Sequence, residues 1–250
     1  MPFSWQVFCN KAGNYTIKTV YMTKKRTALF NLTLSGLVLM FLFIGTSSVS
    51  AQSGNGIWGL DISHHQGSIN WKQIAAKEPD FIYFKATEGS THSDATYEDN
   101  RVQARKHEIV SGAYHFFSFT SPGIRQALHF IRTAKLRKGD LPPVLDIEWI
   151  RPMPSVSAVV REVTTFLTTV EKEIGVRPVI YTDCMLFNQY LKSGLPKEYK
   201  LWIASYQSKP ACDCIFWQKS NNYRINGIQG NVDYNVFMGS KSEFKAIRMD

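Results

Sequence analysis

Eight short runs, rich in β-branched and aromatic residues, recur along the chain and limit what it can fold into. They are IWGLDIS (57–63), FIYFKAT (81–87), VSGAYHFF (110–117), PPVLDIEW (142–149), PVIYTD (178–183), LWIASY (201–206), IFWQKS (215–220) and NVDYNVF (231–237). Each is bounded by Gly, Pro, Ser or Asn, as strands are. Helix-like segments separate the first five. Residues 94–108 hold good helix formers, and 122–138 carry an apolar stripe at Ile124, Leu128, Ile131 and Leu136. Residues 155–174 open at Ser155 and stop at Gly175, and a short helix fits 184–193. The gaps 207–214 and 221–230 are too short for a crossover helix with its loops. Alternating strands and helices imply a parallel sheet. The expectation is an α/β fold: an abbreviated TIM-like barrel, five β/α units followed by three strands. An open doubly wound sheet is the alternative, but no G-x-G-x-x-G turn follows the first strand.

One domain over 52–250, with its core at 57–240, accounts for all eight runs. The polar tail 241–250 is expected to be peripheral. Residues 1–51 read as a leader. Lys24, Lys25 and Arg26 precede the apolar core GLVLMFLFIG (36–45), and small residues follow to Ala51. That is the order of a secretory signal, with cleavage expected after Ala51 and Met22 as an alternative start. An uncleaved membrane anchor is the competing reading, diluted by Asn31, Thr33 and Ser35. The exported product is then periplasmic or secreted.

The net charge of +9 suggests nucleic acid until it is located. The leader holds five cations (Lys11, Lys18, Lys24, Lys25, Arg26) and no acid. Without them, 24 basic residues face 20 acidic ones, a net of +4 and no basic stripe. Nucleic acid is therefore not an expected partner. Beyond Cys9 the cysteines are Cys184, Cys212 and Cys214, and a disulfide would join Cys184 to Cys212 or Cys214. His64 and His65, read as adjacent strand residues, would point to opposite faces and not share a metal ion.

The fourth run poses the chemical question. Side chains alternate along a strand, so Val144, Asp146, Glu148 and Ile150 share one face, and Leu145, Ile147 and Trp149 the other. Two acids on one face of so apolar a segment are costly unless paired or functional. In a β/α barrel, catalytic groups sit inside the C-terminal mouth. Other polar and aromatic residues fall near strand ends: Asp61, Lys85, Glu88, Tyr114, His115, Tyr181, Asp183, Trp202, Tyr206, Trp217, Gln218 and Asp233. Carboxylates between aromatic faces suit a sugar chain, whose rings stack while acids work on the glycosidic oxygen.

The ordered blocks GLDISHHQG, FIYFKATEG, GAYHFF, PVLDIEW, VIYTD, LWIASY, FWQ and GNVDYNVF resemble glycoside hydrolase family 25, the Chalaropsis-type lysozymes or N-acetylmuramidases. The resemblance spans about residues 57–240. It implies hydrolysis of the β-1,4 bond between N-acetylmuramic acid and N-acetylglucosamine in peptidoglycan strands. It further implies Glu148 as general acid, Asp146 as the assisting acid, and Asp61 and Asp233 as the remaining acids. Tyr114, Tyr181, Trp202, Tyr206 and Trp217 would line the groove. No cofactor, metal or oligomer is called for.

The spacing of Asp146 and Glu148 does not select a mechanism. A carboxyl separation of about 5–5.5 Å suits direct retention and about 6.5–9.5 Å inversion. A substrate-assisted route, with the sugar's own acetamide as nucleophile, is the expectation. An inactive wall-glycan-binding protein and a chitinase-like hydrolase are the alternatives.

Overall fold

A computed structural model of the chain describes residues 5–9, 15–19 and 56–250. The chain divides into two units, Met1–Ser50 and Ala51–Asp250. In the first, Trp5–Cys9 and Tyr15–Thr19 pair as antiparallel strands. The apolar core 36–45 and the cleavage point after Ala51 lie outside the described residues. Among the described residues no helix is long and apolar enough to cross a membrane.

The second unit is a closed eight-stranded barrel. Its strands are β1 (Trp58–Ile62), β2 (Phe81–Glu88), β3 (Val110–Phe116), β4 (Val144–Asp146), β5 (Val179–Asp183), β6 (Leu201–Ala204), β7 (Phe216–Tyr223) and β8 (Val232–Phe237). Neighbours pair in sequence order, and β1 pairs with both β2 and β8 to close the ring. A two-residue strand, His92–Ser93, adds to the end of β2.

Strands β1 to β7 run parallel. Strand β8 is antiparallel to both of its neighbours. The segment 224–231 is too short to carry the chain back to the barrel bottom, so it can only turn and pair as a hairpin. The reversal brings the start of β8 to the rim made by the ends of the other strands. Asp233 thereby lies directly opposite Asp61.

Helices α1 (Trp71–Ala75), α2 (Tyr97–Lys106), α3 (Gly123–Ala134) and α4 (Val156–Ile174) fill the first four crossovers. A short α5 (Cys184–Leu186), continued by a wider π turn over Phe187–Leu191, follows β5. Helix α4 starts where the sequence places it: the Ser155 hydroxyl accepts from the Ala158 N–H at 3.3 Å. Cys184 pairs with Cys212, leaving Cys214 as a free thiol.

Two apolar layers follow from strand alternation. Leu60, Ile62, Ile82, Phe84, Leu145, Ile147, Ile180 and Ile203 point outward and pack with the helices. Phe81, Tyr83, Val144, Val179, Trp202, Phe216 and Phe237 point inward and fill the lower barrel. Rings this large need room opposite them. A Cβ at Gly112 would stand 2.3 Å from the Tyr83 ring, and one at Gly59 2.3 Å from the Phe81 carbonyl. These two glycines let the aromatic plug fit.

The tail is not merely peripheral, contrary to its polar composition. Residues Lys241–Ala246 form a helix, α6, whose Phe244 is buried against Phe81 and Phe237, ring centroids 5.6 and 5.2 Å apart. Met249 then exchanges backbone hydrogen bonds with Gly139 and Asp140. One aromatic residue in a charged stretch is enough to close the barrel floor.

Candidate active site

Above the aromatic plug, most inward-facing rows turn polar on the way to the C-terminal rim. Val144 gives way to Asp146, Phe216 to Gln218, Tyr83 to Lys85, and Val179 to Tyr181. On the reversed β8, Phe237 gives way to Asn235 and then Asp233. These groups meet around a cavity of about 250 Å³, lined by Asp61, Lys85, Tyr114, Asp146, Glu148, Tyr181, Trp202, Gln218 and Asp233, among others.

A directed hydrogen-bond network holds one wall. The Tyr181 and Tyr206 hydroxyls donate to Gln218 Oε1 at 2.8 and 2.7 Å. Gln218 Nε2 donates to Asp61 Oδ2 at 3.0 Å, and Asn235 Nδ2 donates to the same oxygen at 2.7 Å. Asn235 in turn accepts from Trp202 Nε1 at 3.0 Å. Every donor in this chain points toward Asp61, which favours negative charge there.

Burial raises Asp61, while the bonds from Asn235, Gln218 and Asp233 pull the other way. Asp233 is pushed up to about 9, by burial first and then by the charge of Asp61 and the hydrogen bond between the two. The pair therefore keeps a proton between its two carboxyls at neutral pH.

The opposite wall is β4 and its exit. Asp146 is buried, and burial followed by the charges of Glu148 and Asp61 lifts it well above the usual carboxylate range, with Lys85 opposing. Its Oδ1 has no hydrogen-bond partner among the described residues. Strand β4 ends at Asp146, although the Ile147 N–H still donates to the Tyr181 carbonyl at 2.9 Å. Glu148 thus stands just past the ladder at the open mouth. Partial desolvation by the cleft wall, then the charge of Asp61, raises it.

Lys85, also inside the cleft, donates to Glu88 Oε2 at 2.6 Å and stands 4.9 Å from the centre of the Phe116 ring.

The structure brings Asp61, Asp146, Glu148, Asp233, Tyr114, Tyr181 and Trp202 to one cavity. Trp202 is only 2% exposed, packed against Tyr83 and Phe216, and so forms floor rather than a face for stacking. Tyr206 sits at the rim through its bond to Gln218.

Trp217 does not line the cavity. It alternates with the inward Phe216 and Gln218, donates its indole N–H to the Ser205 carbonyl at 2.8 Å, and lies under Lys219. His64 and His65 belong to a helical turn, His64–Gln66, not to a strand. Their rings lie 4.0 Å apart, and His64 Nδ1 is 2.7 Å from Asp94 Oδ2. Asn235 escapes a search for charged residues. Its only signal is that it shares a face with Asp233, two positions earlier.

Carboxylic acids gathered at the C-terminal mouth of a β/α barrel suit one class of enzyme, the acid–base hydrolases of glycosidic bonds. The family model "Glycosyl hydrolases family 25" matches residues 60–228, and the chain belongs to that family. It is 36% identical over 199 residues to the uncharacterized protein YegX of Escherichia coli O157:H7, covering 76% of this chain and 72% of the relative. It is 33% identical over 213 residues to Lysozyme M1 of Streptomyces globisporus, covering 77% and 71%. Among solved structures, a family 25 glycosyl hydrolase from Bacillus anthracis superposes with a TM-score of 0.72 at 34% identity, covering 77% of this chain and 94% of that one. The protein is a glycoside hydrolase of lysozyme type.

Proposed function

We propose that this protein is an exported N-acetylmuramidase that cleaves the β-1,4 bond between N-acetylmuramic acid and N-acetylglucosamine in peptidoglycan. The observation that carries this reading is the single cavity in which Glu148 faces Asp61, Asp146 and Asp233. Lysozyme M1 among the relatives supports the wall glycan as substrate, and the signal-like leader supports delivery to it.

Glu148 is the general acid. Its raised pKa keeps a proton available for the leaving glycosidic oxygen. As that bond breaks, the carbonyl oxygen of the substrate's own 2-acetamido group attacks the anomeric carbon and closes an oxazoline ring. Asp146, acting in its ionised form and with its unpartnered Oδ1, accepts the acetamide N–H and balances the positive charge that builds on the ring. The Glu148 carboxylate then takes a proton from water, which attacks the anomeric carbon from the face the leaving group vacated and breaks the oxazoline C–O bond, so the β configuration is retained. Asp61, fixed by its amide donors Gln218 and Asn235, stabilises the positive anomeric centre from the opposite wall.

Purified peptidoglycan and chitin are the substrates that test the reading. The expected new reducing end is muramic acid, with the β anomer appearing first by NMR. Glu148→Gln should lower kcat by roughly 100-fold or more while leaving wall binding intact. Glucosamine reducing ends would make the protein chitinase-like. A first-formed α anomer would rule out retention, and an unimpaired Glu148→Gln would remove the assignment of the acid.

A further inference from the structure

Immediately beyond Glu148 the surface changes character. Trp149, Ile150, Arg151, Met153 and Met185 line a second depression of about 470 Å³. Three of its apolar side chains are exposed: Trp149 and Ile150 at 37% each and Met185 at 58%. Apolar surface this concentrated on a monomer is usually covered when the protein works. Arg151, the one charged residue of the lining, forms no salt bridge among the described residues.

The depression is built rather than incidental. Trp149 Nε1 donates to Asp183 Oδ2 at 2.6 Å, and the Leu186 N–H donates to Asp183 Oδ1 at 2.8 Å. One carboxylate thus ties the loop after β4 to the turn that carries Met185. The Tyr190 ring meets Trp149 edge-on, centroids 5.7 Å apart. Within the loop, the Ile150 N–H points at the Met153 sulfur at 3.4 Å. Both walls are held in place before any ligand arrives.

The chemistry of the lining selects the occupant. A further sugar ring would bring several hydroxyls that need partners once desolvated, and the depression offers almost none. A short peptide with methyl side chains and a carboxylate fits both the apolar wall and the unpaired guanidinium. Wall glycan carries such a peptide on the lactyl group of every muramoyl residue, a few ångström from the bond that Glu148 would protonate. Asp183, which holds Trp149 at 2.6 Å, is also near enough to Glu148 for its charge to bear on that acid, so the depression borders the cleft on this side.

We propose that the depression seats the stem peptide of the muramoyl residue, with Ile150, Met153, Met185 and the Trp149 face packing against its alanine methyls and Arg151 pairing with a peptide carboxylate. The inference rests on the muramidase reading and adds the part of the substrate that a bare glycan lacks.

The test compares intact peptidoglycan with the same strands stripped of peptide by an amidase, for the wild type and for Arg151→Glu and Met185→Ser. The ratio of kcat/KM on peptide-bearing to stripped strands should fall about fivefold or more in each variant, mainly through KM. An unchanged ratio overturns the proposal, whether both activities fall together or neither falls. Calorimetry with N-acetylmuramoyl-dipeptide supplies a readout independent of turnover. The wild type should bind it more tightly than N-acetylmuramic acid, and Arg151→Glu should lose that advantage. Equal binding by wild type and variant overturns the proposal. Absence of wild-type activity on both glycans, with peptide-dependent binding retained, would instead count against the muramidase reading.

Discussion

Asp146 is buried among other acids with one oxygen unpartnered, so its charge opposes folding at neutral pH. In the folded protein its pKa lies well above the value of about 3.9 expected in the unfolded chain. Its contribution to stability is therefore greatest below about pH 4 and is lost as pH rises toward the folded value. Asp146→Asn should raise Tm at pH 7 by about 2–6 °C, and by less near pH 3.5, while lowering activity by roughly 100-fold or more. Thermal melts at the two pH values check it; a lower Tm at pH 7 would show that the carboxylate stabilises the fold. The acid itself was legible in the sequence, because period-two alternation from Val144 to Asp146 and Glu148 survives in the structure. The alternation fails at Ile150, where the chain has left the ladder and the side chain turns out to the apolar depression. Trp217 shows a different limit. FWQ says that Phe216 and Gln218 share a face, but not that this face looks into the barrel.

Elements carry the next level of information. The eight strand segments and the principal helices could be read from composition and periodicity because each has its own apolar stripe and its own stop signals. The direction of β8 could not be read that way. It follows from the hairpin that 224–231 must make, and it alone places Asp233 opposite Asp61. Helix α6 was hidden by its charges, since a single aromatic residue gives no periodicity. Phe244 packs where the barrel floor would otherwise be open. Phe244→Ala should cost about 3–5 kcal/mol of stability. The measurement is the urea midpoint, and a shift of less than about 1 kcal/mol would mean that the floor closes without it.

The whole molecule balances opposite responses to acid. His115 is fully buried, stacked on Phe166 at 4.8 Å and hydrogen-bonded to Thr87 and Gln126. Burial pushes its pKa down to about 3. Between about pH 6.5 and 3 the unfolded chain takes up a proton that the folded one refuses, so this residue lowers stability as pH falls. The cleft acids, whose folded pKa values are raised, act the other way over their own range. In His115→Gln the opposing loss is gone. Relative to that variant, the wild type should lose up to about 1.4 kcal/mol per pH unit between pH 6 and 4, read from urea unfolding at each pH. Identical slopes would show that His115 protonates in the folded state without penalty. The last strand to be synthesised also completes the wall opposite Glu148, since Asn235 reaches Asp61 across 174 positions of chain. Growing chains emerge N-terminus first, so β1 must wait for nearly the whole sequence before its acid acquires a partner. A wall-cutting activity assembled at the seam between first and last strands is thereby deferred in time. No chain cut short before β8 holds the finished cleft.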